Sequence, residues 1–389
     1  MKITGDQALV KKINKSLVLD NIRLYAPLSR TRVSQLTGLN KATVSNLVQE
    51  LIDDRLVLEL GEGQSSGGRK PLMLEFNHSA GYAAGVELSV NELTIVLTNL
   101  EGKIITRHTE PLPDHRLETT LELMQRMMAV LVAELPPSVH GLIGMGVGVP
   151  GMVDEQGNVL FAPNLGWEGV PLREELEQLF GLPVTIDNEA NAGAIGELQF
   201  GAGRHARHLV YISVGMGIGS GIIIDGQPYT GARGYAGETG HMSVEAHGLP
   251  CSCGSRGCWE LYASELAYEH TLADPHPNTN TAYWVQQAMW DEQEAIRLFQ
   301  RIGEYLGIGI TNLVNSFNPE LVIIGGHMRQ AEPWIAPHVE AVVSQRTLPY
   351  HRQKLVIQYS ELGEQSTVIG AAYAAISQFL GRVRVSNIN

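Results

Sequence analysis

The sequence has no long apolar segment. No run approaches the roughly 18 consecutive apolar residues that a membrane-spanning helix needs. The opening stretch MKITGDQALVKKINKS has no apolar core of the kind found in signal peptides. The composition, 44% hydrophobic and 18% charged, is otherwise that of a globular protein. We therefore expect a cytoplasmic protein.

Basic residues are also scarce, with 28 Lys and Arg against 41 Asp and Glu. Their distribution is uneven. Residues 1–76 carry 11 basic and 8 acidic side chains, a net charge of +3, whereas the remainder carries 17 and 33, a net charge of −16. A basic first part joined to an acidic second part predicts that only the first part contacts a polyanion such as DNA.

Cysteine is rarer still, and the three cysteines lie together. Cys251, Cys253 and Cys258 are spaced C-x-C-x4-C, with glycines between them that allow tight turns. Close spacing in a chain that is not secreted favours a metal site over three unrelated thiols. Three thiolates and one imidazole complete a tetrahedral structural zinc site. His241 and His247 both lie just upstream, and spacing alone slightly favours His247.

The first part of the chain has the pattern of a helix-turn-helix. Apolar residues at helical spacing predict a helix that ends before Pro27. Ser29 and Asn40 are predicted N-caps of two further helices, separated by a glycine turn at Gly38. A small helical bundle with a solvated polar face is the alternative. We predict DNA contacts through hydroxyl, amide and basic side chains, namely those of Ser29, Arg30, Lys41, Thr43, Ser45, Asn46 and Gln49.

Two alternating strands follow, LVLEL and PLMLEF, with the loop GEGQSSGGRK between them. A hairpin after the helix that Asn40 caps predicts a winged helix-turn-helix domain of the α+β class over residues 1–76. Arg69 and Lys70 stand on flexible glycines at the hairpin tip and suit a narrow A·T-rich minor groove. The alternative for residues 61–71 is a simple linker, because Gly/Ser-rich segments are often flexible connections.

From residue 77 onward, strands and helices alternate in two halves, which predicts an α/β fold. Here G-E-T-G-H, ending at His241, is followed by C-S-C-G-S-R-G-C-W-E, ending at Glu260. These motifs resemble those of the ROK family (repressors, open reading frames, kinases), and the resemblance covers nearly all of residues 80–380. It implies a duplicated actin-like sugar-binding domain with two lobes over residues 77–389. It also implies that His241, not His247, is the fourth ligand of a structural zinc.

The resemblance extends to the segments that surround the sugar in this family. They are G-V-P-G, N-L-G-W and N-E-A-N, together with the glutamates that bracket the cysteine segment. Such a ring of paired donors and acceptors rejects ligands that leave one of its polar groups unpaired. The implied sugar-binding residues are Gly151, Asn164, Asn188, Glu189, Glu238, His241 and Glu260.

The family contains both kinases and repressors, and the nucleotide positions distinguish them. The kinases have a D-x-G-G-T turn, but this chain has side chains at Leu88, Ser89 and Val90 where phosphate oxygens need bare backbone N–H groups. The second glycine-rich turn keeps its glycines, but Met216 stands where the kinases have threonine. Glu189 replaces the aspartate base and shifts the carboxylate by about 1 Å or more. We therefore expect no enzymatic activity.

These features together predict a homodimeric, sugar-responsive repressor with one zinc per chain. We expect it to bind an A·T-rich palindromic operator, and the resemblance to repressors of the ROK family implies that this operator controls xylose-utilisation genes and that D-xylose releases the protein. A sugar kinase with an appended DNA-binding domain is the main alternative. A zinc-stabilised scaffold without a ligand is a more distant one.

Overall fold

The computed structural model describes residues 7–62, 72–271 and 280–381. Its first elements are three helices and a small antiparallel sheet of strand order β1-β3-β2. We call these elements the head and the rest of the chain the body. The elements of the head are α1 (Gln7–Tyr25), β1 (Leu28–Ser29), α2 (Arg30–Thr37), α3 (Lys41–Asp53), β2 (Val57–Glu62) and β3 (Leu72–Phe76).

The helices of the head begin where their capping residues stand, as predicted. The Ser29 hydroxyl accepts a hydrogen bond from the backbone N–H of Arg32 at 3.2 Å. The Asn40 side chain accepts one from Thr43 at 2.8 Å. Both bonds satisfy N–H groups that the first helical turn leaves unpaired. Gly38 ends α2 with φ +71°, a conformation that glycine adopts without steric cost.

The head is docked on the body through a shared core. Its buried residues include Val18, Ile22 and Val48, and they form one cluster with residues of the body such as Ile143 and Ile376. Burial of apolar side chains on both sides stabilises the contact. Asn77 adds a hydrogen bond from its side chain to the backbone oxygen of Arg55 at 2.8 Å.

The body contains two five-stranded sheets with the same topology. Their strand orders are β11-β7-β4-β5-β6 and β14-β13-β12-β15-β16. In each sheet a central strand, β4 or β12, pairs antiparallel with the next strand and parallel with a later one. The strands are β4 (Tyr82–Leu88), β5 (Glu92–Asn99), β6 (Ile104–Pro111), β7 (Leu142–Val149), β11 (Val184–Asn188), β12 (Leu209–Val214), β13 (Ile218–Ile224), β14 (Gln227–Pro228), β15 (Leu321–Gly325) and β16 (Val356–Tyr359). The repeated order confirms the predicted duplication.

Helices cover the two sheets, and a small third sheet of order β10-β9-β8 lies beside the first. Its strands are β8 (Met152–Val153), β9 (Val159–Ala162) and β10 (Trp167–Val170). The helices of the body are α4 (Leu117–Ala133), α5 (Leu172–Phe180), α6 (Glu189–Phe200), α7 (Glu260–Ala263), α8 (Leu266–Thr271), α9 (Thr281–Met289), α10 (Gln293–Phe317), α11 (Glu332–Arg346), α12 (Pro349–Arg352) and α13 (Ser366–Phe379). In the described part of the chain, no helix has the length and apolarity to cross a membrane.

Strand β11 passes directly into α6 without an intervening loop. The side-chain oxygen of Asn188 accepts the backbone N–H groups of Ala190 at 2.8 Å and Asn191 at 3.3 Å. This N-cap starts the helix immediately after the strand.

Helices α6 and α13 cross at small residues between the two sheets. A Cβ added at Gly196 would lie 2.2 Å from the backbone oxygen of Ser366, and one added at Gly370 would lie 1.8 Å from that of Ala192. Only glycine permits backbones to approach this closely. The crossing joins the two lobes, and the cleft between the lobes opens at the N-terminal ends of both helices.

Candidate functional site

A cleft of about 720 Å³ separates the two lobes, within the size range of small-molecule sites. The strand ends and loops that border it come from both sheets. The cleft brings together every predicted sugar-binding residue, namely Gly151, Asn164, Asn188, Glu189, Glu238, His241 and Glu260. Contact of these residues with a sugar stays a prediction.

Asn188 organises one wall of the cleft. Besides capping α6, its side-chain amide donates a hydrogen bond to the backbone oxygen of Gly151 at 2.9 Å. Gly151 has φ +112°, and an added Cβ would lie 2.4 Å from the backbone oxygen of Phe161. The glycine is therefore required where the loop after β7 meets β9. Contacts within the protein therefore hold the loop after β7, strand β9 and the start of α6 together.

Two glutamates face the same part of the cleft. Glu189 is the first residue of α6, and burial raises the pKa of its carboxyl group. Glu87 lies near the end of β4, where burial and the charge of Glu189 raise its pKa to about 8. A carboxyl group that keeps its proton near neutral pH can donate a hydrogen bond, whereas an ionised one only accepts. Such a pair suits hydroxyl groups, which both donate and accept.

Glu87 was missed as a site residue by the sequence analysis. The signal was present, because Glu87 opens the segment that corresponds to the phosphate turn of the kinases. His327 was missed as well, and it had no local signal. Its Nδ1 lies 3.5 Å from a carboxylate oxygen of Glu265, and this partner raises the pKa of His327 to about 9. Glu265 also accepts a hydrogen bond from the Thr281 hydroxyl at 2.5 Å.

The three thiols and one imidazole form a compact group. The ligand atoms of His241, Cys251, Cys253 and Cys258 all lie within 4.8 Å of one another. Nδ1 of His241 is 3.7 Å from Sγ of Cys251, and Sγ of Cys253 is 3.7 Å from Sγ of Cys258. Tetrahedral zinc with Zn–S bonds of about 2.3 Å separates its sulfur ligands by about 3.8 Å. The donor set and its spacing therefore fit zinc.

His247 lies outside this group, so the slight preference for it from spacing alone was wrong. The loop folds back as a short antiparallel ladder, with Ser243 paired to Cys258. That pairing carries the side chain at position 241 toward the thiols and leaves His247 exposed at the turn. Loop length is a poor guide here because the ladder brings distant residues together.

The cysteine-containing loop is anchored in the lobe that contains the second five-stranded sheet. Gly257 has φ +69°, and an added Cβ would lie 1.7 Å from the backbone oxygen of Glu245. Trp259 is fully buried, and its indole N–H donates to the backbone oxygen of Tyr305 in α10 at 2.8 Å. Glu260 follows directly and starts α7. The position of Glu260 in the cleft is therefore fixed from both sides.

The turn after β4, which would hold a phosphate in a kinase, is closed by hydrogen bonds between Ser89 and Glu92. The backbone N–H of Ser89 donates to the backbone oxygen of Glu92 at 2.9 Å. The Ser89 hydroxyl donates to the same oxygen at 3.0 Å and accepts the N–H of Glu92 at 3.1 Å. Leu88 is fully buried. The nearby cleft wall also carries the carboxylate of Glu364, which repels phosphate.

Most of the residues predicted to contact DNA lie on one exposed face of α3. Lys41, Ser45, Asn46 and Gln49 are exposed, and Thr43 is half-buried. Two other predicted residues have partners within the head. The Ser29 hydroxyl caps α2, and the Arg30 guanidinium pairs with Glu59 of β2 at 2.5 Å. Arg69 and Lys70 lie outside the described residues. All of these DNA contacts stay predictions.

Comparisons with known proteins agree with this architecture. The chain is 39% identical over 381 residues to the xylose repressor of Bacillus spizizenii, covering 98% of this chain and 99% of that protein. It is 28% identical over 385 residues to the DNA-binding transcriptional dual regulator NagC of Escherichia coli, covering 96% and 94% of the two chains.

Two solved structures resemble the fold. One is a ROK family transcriptional regulator, a homologue of the E. coli MLC protein, with TM-score 0.83 and 29% identity over 96% of this chain and 97% of that one. The other is a ROK family glucokinase from Streptomyces griseus in complex with glucose and AMPPNP. It gives TM-score 0.65 and 29% identity over 75% of this chain and 98% of that one. The ROK family pattern itself matches residues 83–378, and the chain belongs to the ROK family.

Proposed function

We propose that this protein is a sugar-responsive transcriptional repressor. In this proposal residues 1–76 form a winged helix-turn-helix domain and residues 77–389 form a two-lobed sugar-binding domain. The observation that carries the proposal is a cleft with carboxylate, amide and imidazole side chains in its wall, whose phosphate turn is closed by Ser89 and Glu92. A site that holds a sugar without a nucleotide can report on the sugar but cannot phosphorylate it. Similarity over nearly the whole chain to one repressor and to two transcriptional regulators supports the same conclusion.

The head would supply the DNA contacts. Its α3 has a buried apolar side and an exposed side rich in amide, hydroxyl and basic groups, which is typical of a recognition helix in the major groove. A homodimer would place two such helices one helical turn apart, so the operator would be a palindrome. Arg69 and Lys70 would contact an A·T-rich minor groove next to each half-site.

D-xylose would be the inducer. The similarity to the xylose repressor of Bacillus spizizenii supports this assignment, and the chemistry of the cleft is compatible with it. The cleft offers carboxylates, amides and an imidazole for a neutral polyhydroxyl ligand. Xylose has no hydroxymethyl group at C5. The side chain of Glu189, which is longer than the aspartate of the kinases, would therefore occupy the space that the sixth carbon of a hexose fills.

Zinc would be a resident structural metal. His241, Cys251, Cys253 and Cys258 would hold one ion per chain, and the bound ion would supply four bonds that fix the loop. The chain itself positions Glu238 and Glu260 at either end of that loop. Both side chains would then meet the sugar hydroxyls at fixed positions.

A ROK sugar kinase with a DNA-binding domain is the second candidate. It is favoured by one observation, the carboxylate of Glu189 at the start of α6, beside the cleft. A coupled assay for ATP turnover with D-xylose and D-glucose separates the candidates. We expect no turnover with either sugar, and measurable turnover would overturn the repressor-only assignment.

The direct test of the repressor is a gel shift with the full-length protein. Operator duplexes would be selected from A·T-rich palindromes, and binding would be measured with and without D-xylose. We expect release by D-xylose and no release by D-glucose at the same concentration. A protein that binds no duplex, or that stays bound at saturating D-xylose, would contradict the proposal.

A further inference from the structure

Helix α6 connects the cleft to the surface on which the head is docked. It begins at Glu189, which lines the cleft, and ends at Phe200. Its 12 residues span about 18 Å at the α-helical rise. The ring of Phe200 packs edge-on against the ring of Tyr373 in α13, with centroids 5.6 Å apart. A displacement at the sugar end of α6 therefore reaches an aromatic contact at its other end.

That aromatic contact extends into the head. The guanidinium carbon of Arg23, near the end of α1, lies 5.8 Å from the centroid of the Tyr373 ring. This distance is within the range in which a cation is attracted to a ring face. Burial lowers the pKa of Arg23, while the charges of Asp20 and Glu101 oppose that effect. The partly buried cation of Arg23 in the head therefore contacts the Tyr373 ring, which also contacts α6 through Phe200.

The guanidinium group of Arg23 is not fully hydrogen-bonded. Its Nη1 is buried and has no hydrogen-bond partner among the described residues. A buried N–H without a partner is costly, so an arrangement of α1 that exposes or pairs this group would recover part of that free energy.

The sugar end of α6 is tied to α13 as well. The Thr367 hydroxyl, at the start of α13, donates to the backbone oxygen of Glu189 at 3.2 Å. Glu197, fully buried in the middle of α6, accepts a hydrogen bond from the Ser366 hydroxyl at 2.8 Å. Closely packed helices with few voids do not deform continuously. We therefore expect α6 and α13 to move as rigid bodies when a ligand binds in the cleft.

We infer that Arg23 and Tyr373 are positioning residues that couple sugar binding in the cleft to the orientation of the head. The inference deepens the proposed function and rests on it. The route runs from Glu189 along α6 to Phe200, then through the Tyr373 ring to Arg23. Neither Arg23 nor Tyr373 is among the residues that line the cleft, so each acts through other groups.

The test measures coupling rather than binding. For each full-length variant, the operator dissociation constant is measured with and without saturating D-xylose, and the D-xylose dissociation constant with and without operator. Coupling between two sites is reciprocal, and typical values are about 5- to 150-fold. Two ratios express the coupling: the operator dissociation constant with and without D-xylose, and the D-xylose dissociation constant with and without operator. Loss of the contact in Arg23→Met or Tyr373→Leu should reduce both ratios by at least about threefold. Operator affinity without sugar and sugar affinity without operator should change by less than about twofold.

Conservative variants and a matched control sharpen the result. Arg23→Lys keeps the cation and Tyr373→Phe keeps the ring, so both should retain more coupling than the truncations. Lys11→Met removes another cation of α1, one that pairs with Glu50 within the head at 2.7 Å, and should leave the ratios unchanged. In the double variant of Arg23 and Tyr373, the loss should be smaller than the two single losses combined.

Wild-type ratios in Arg23→Met and Tyr373→Leu would overturn the inference. If either truncation lowers the melting temperature, Phe200→Leu takes its place because it removes the ring that contacts Tyr373, and wild-type ratios in Phe200→Leu would overturn the inference as well. A wild-type protein that shows no response to D-xylose contradicts the proposed function instead. The two failures are therefore distinguishable.

Discussion

A carboxylate oxygen of Glu260 lies 3.2 Å from Nδ1 of His241, so a predicted sugar contact and a predicted zinc ligand touch each other. The same oxygen accepts a hydrogen bond from Sγ of Cys251 at 3.3 Å. The hydrogen bond from His241 to Glu260 raises the pKa of the imidazole to about 10. A proton and a zinc ion would compete for this nitrogen, so the state of the metal site would control the orientation of Glu260.

Removal of one thiol should abolish metal binding and sugar binding together. We expect Cys253→Ser to lose its zinc, because a structural site contributes its binding free energy to folding of the loop. D-xylose affinity should fall with it, since Glu238 and Glu260 flank that loop. Metal content by elemental analysis and sugar affinity by calorimetry check both parts.

The histidines provide a matched pair for this experiment. His241→Ala should lose zinc, and the exposed His247→Ala should keep it. A Cys253→Ser protein with stoichiometric zinc and normal D-xylose affinity would refute the zinc assignment. Loss of zinc in His247→Ala alone would reassign the fourth ligand.

Shortening Glu189 should change the choice of sugar. In Glu189→Asp the carboxylate is withdrawn from the ring hydroxyls of xylose, so D-xylose should bind more weakly by about 1–3 kcal/mol. D-glucose should bind relatively better, because the space for its sixth carbon is restored. Calorimetric binding curves for both sugars on both proteins measure the effect.

The same variant tests the phosphate turn. Glu189→Asp restores the kinase-type base but leaves Ser89 and Glu92 closing the turn, so no ATP turnover is expected. An unchanged sugar preference would place discrimination elsewhere in the cleft. Turnover in the variant would show that the closed turn does not block nucleotide binding.

Stability should depend on pH through Glu87. Its folded pKa is about 8, against 4.5 for the unperturbed group, because burial and Glu189 disfavour the charge. The folded protein therefore keeps a proton between those values that the unfolded chain releases, and the free energy of unfolding falls as pH rises through this window. Glu87→Gln removes the effect. Relative to wild type, it should be more stable at pH 8 by about 1–3 kcal/mol, after discounting for screening by cleft water, and similar at pH 4.5.

A control of opposite sign is available in Glu134. Its carboxylate is exposed, and hydrogen bonds from Thr106 and His108 lower its pKa. Glu134→Gln should therefore lose stability relative to wild type at neutral pH, and the loss should fade on acidification. Thermal unfolding of the three proteins from pH 8 down to about pH 3 gives the comparison, because the stabilisation by Glu134 is lost only below its unperturbed pKa. A Glu87→Gln advantage that does not vary with pH would contradict the assignment.

Gln49 should contribute to operator recognition. It is exposed on α3, and its amide donates to Asp53 one turn later at 3.0 Å. Gln49→Ala should weaken operator binding by about 1–3 kcal/mol if the amide reads a base edge. Gln178 of α5 is a matched control, because it is also exposed and donates to a carboxylate one turn away at 3.1 Å. Equal operator affinity in Gln49→Ala and Gln178→Ala, by gel shift or fluorescence anisotropy, would remove Gln49 from the interface.

Features with local causes were determined by the sequence alone. The caps at Ser29 and Asn40 act on N–H groups within three residues, so the starts of α2 and α3 could be predicted. The cysteines are seven residues apart at most, so their spacing already indicated a metal site. The strand pattern of the body and its duplication followed from periodicity and from the resemblance to the ROK family. Local interactions do not depend on how the rest of the chain folds.

Other features were decided only by the tertiary structure. His241 joins the thiols because a ladder folds the loop back, whereas spacing had favoured His247. Glu87 and Glu189 share a pocket because β4 and β11 both border β7 and end at the same side of the sheet. Arg23 reaches Tyr373 from the opposite end of the chain only because α1 docks on α13. Each of these relationships joins residues far apart in sequence, and their distance is set by sheet order and helix packing, which no local pattern records.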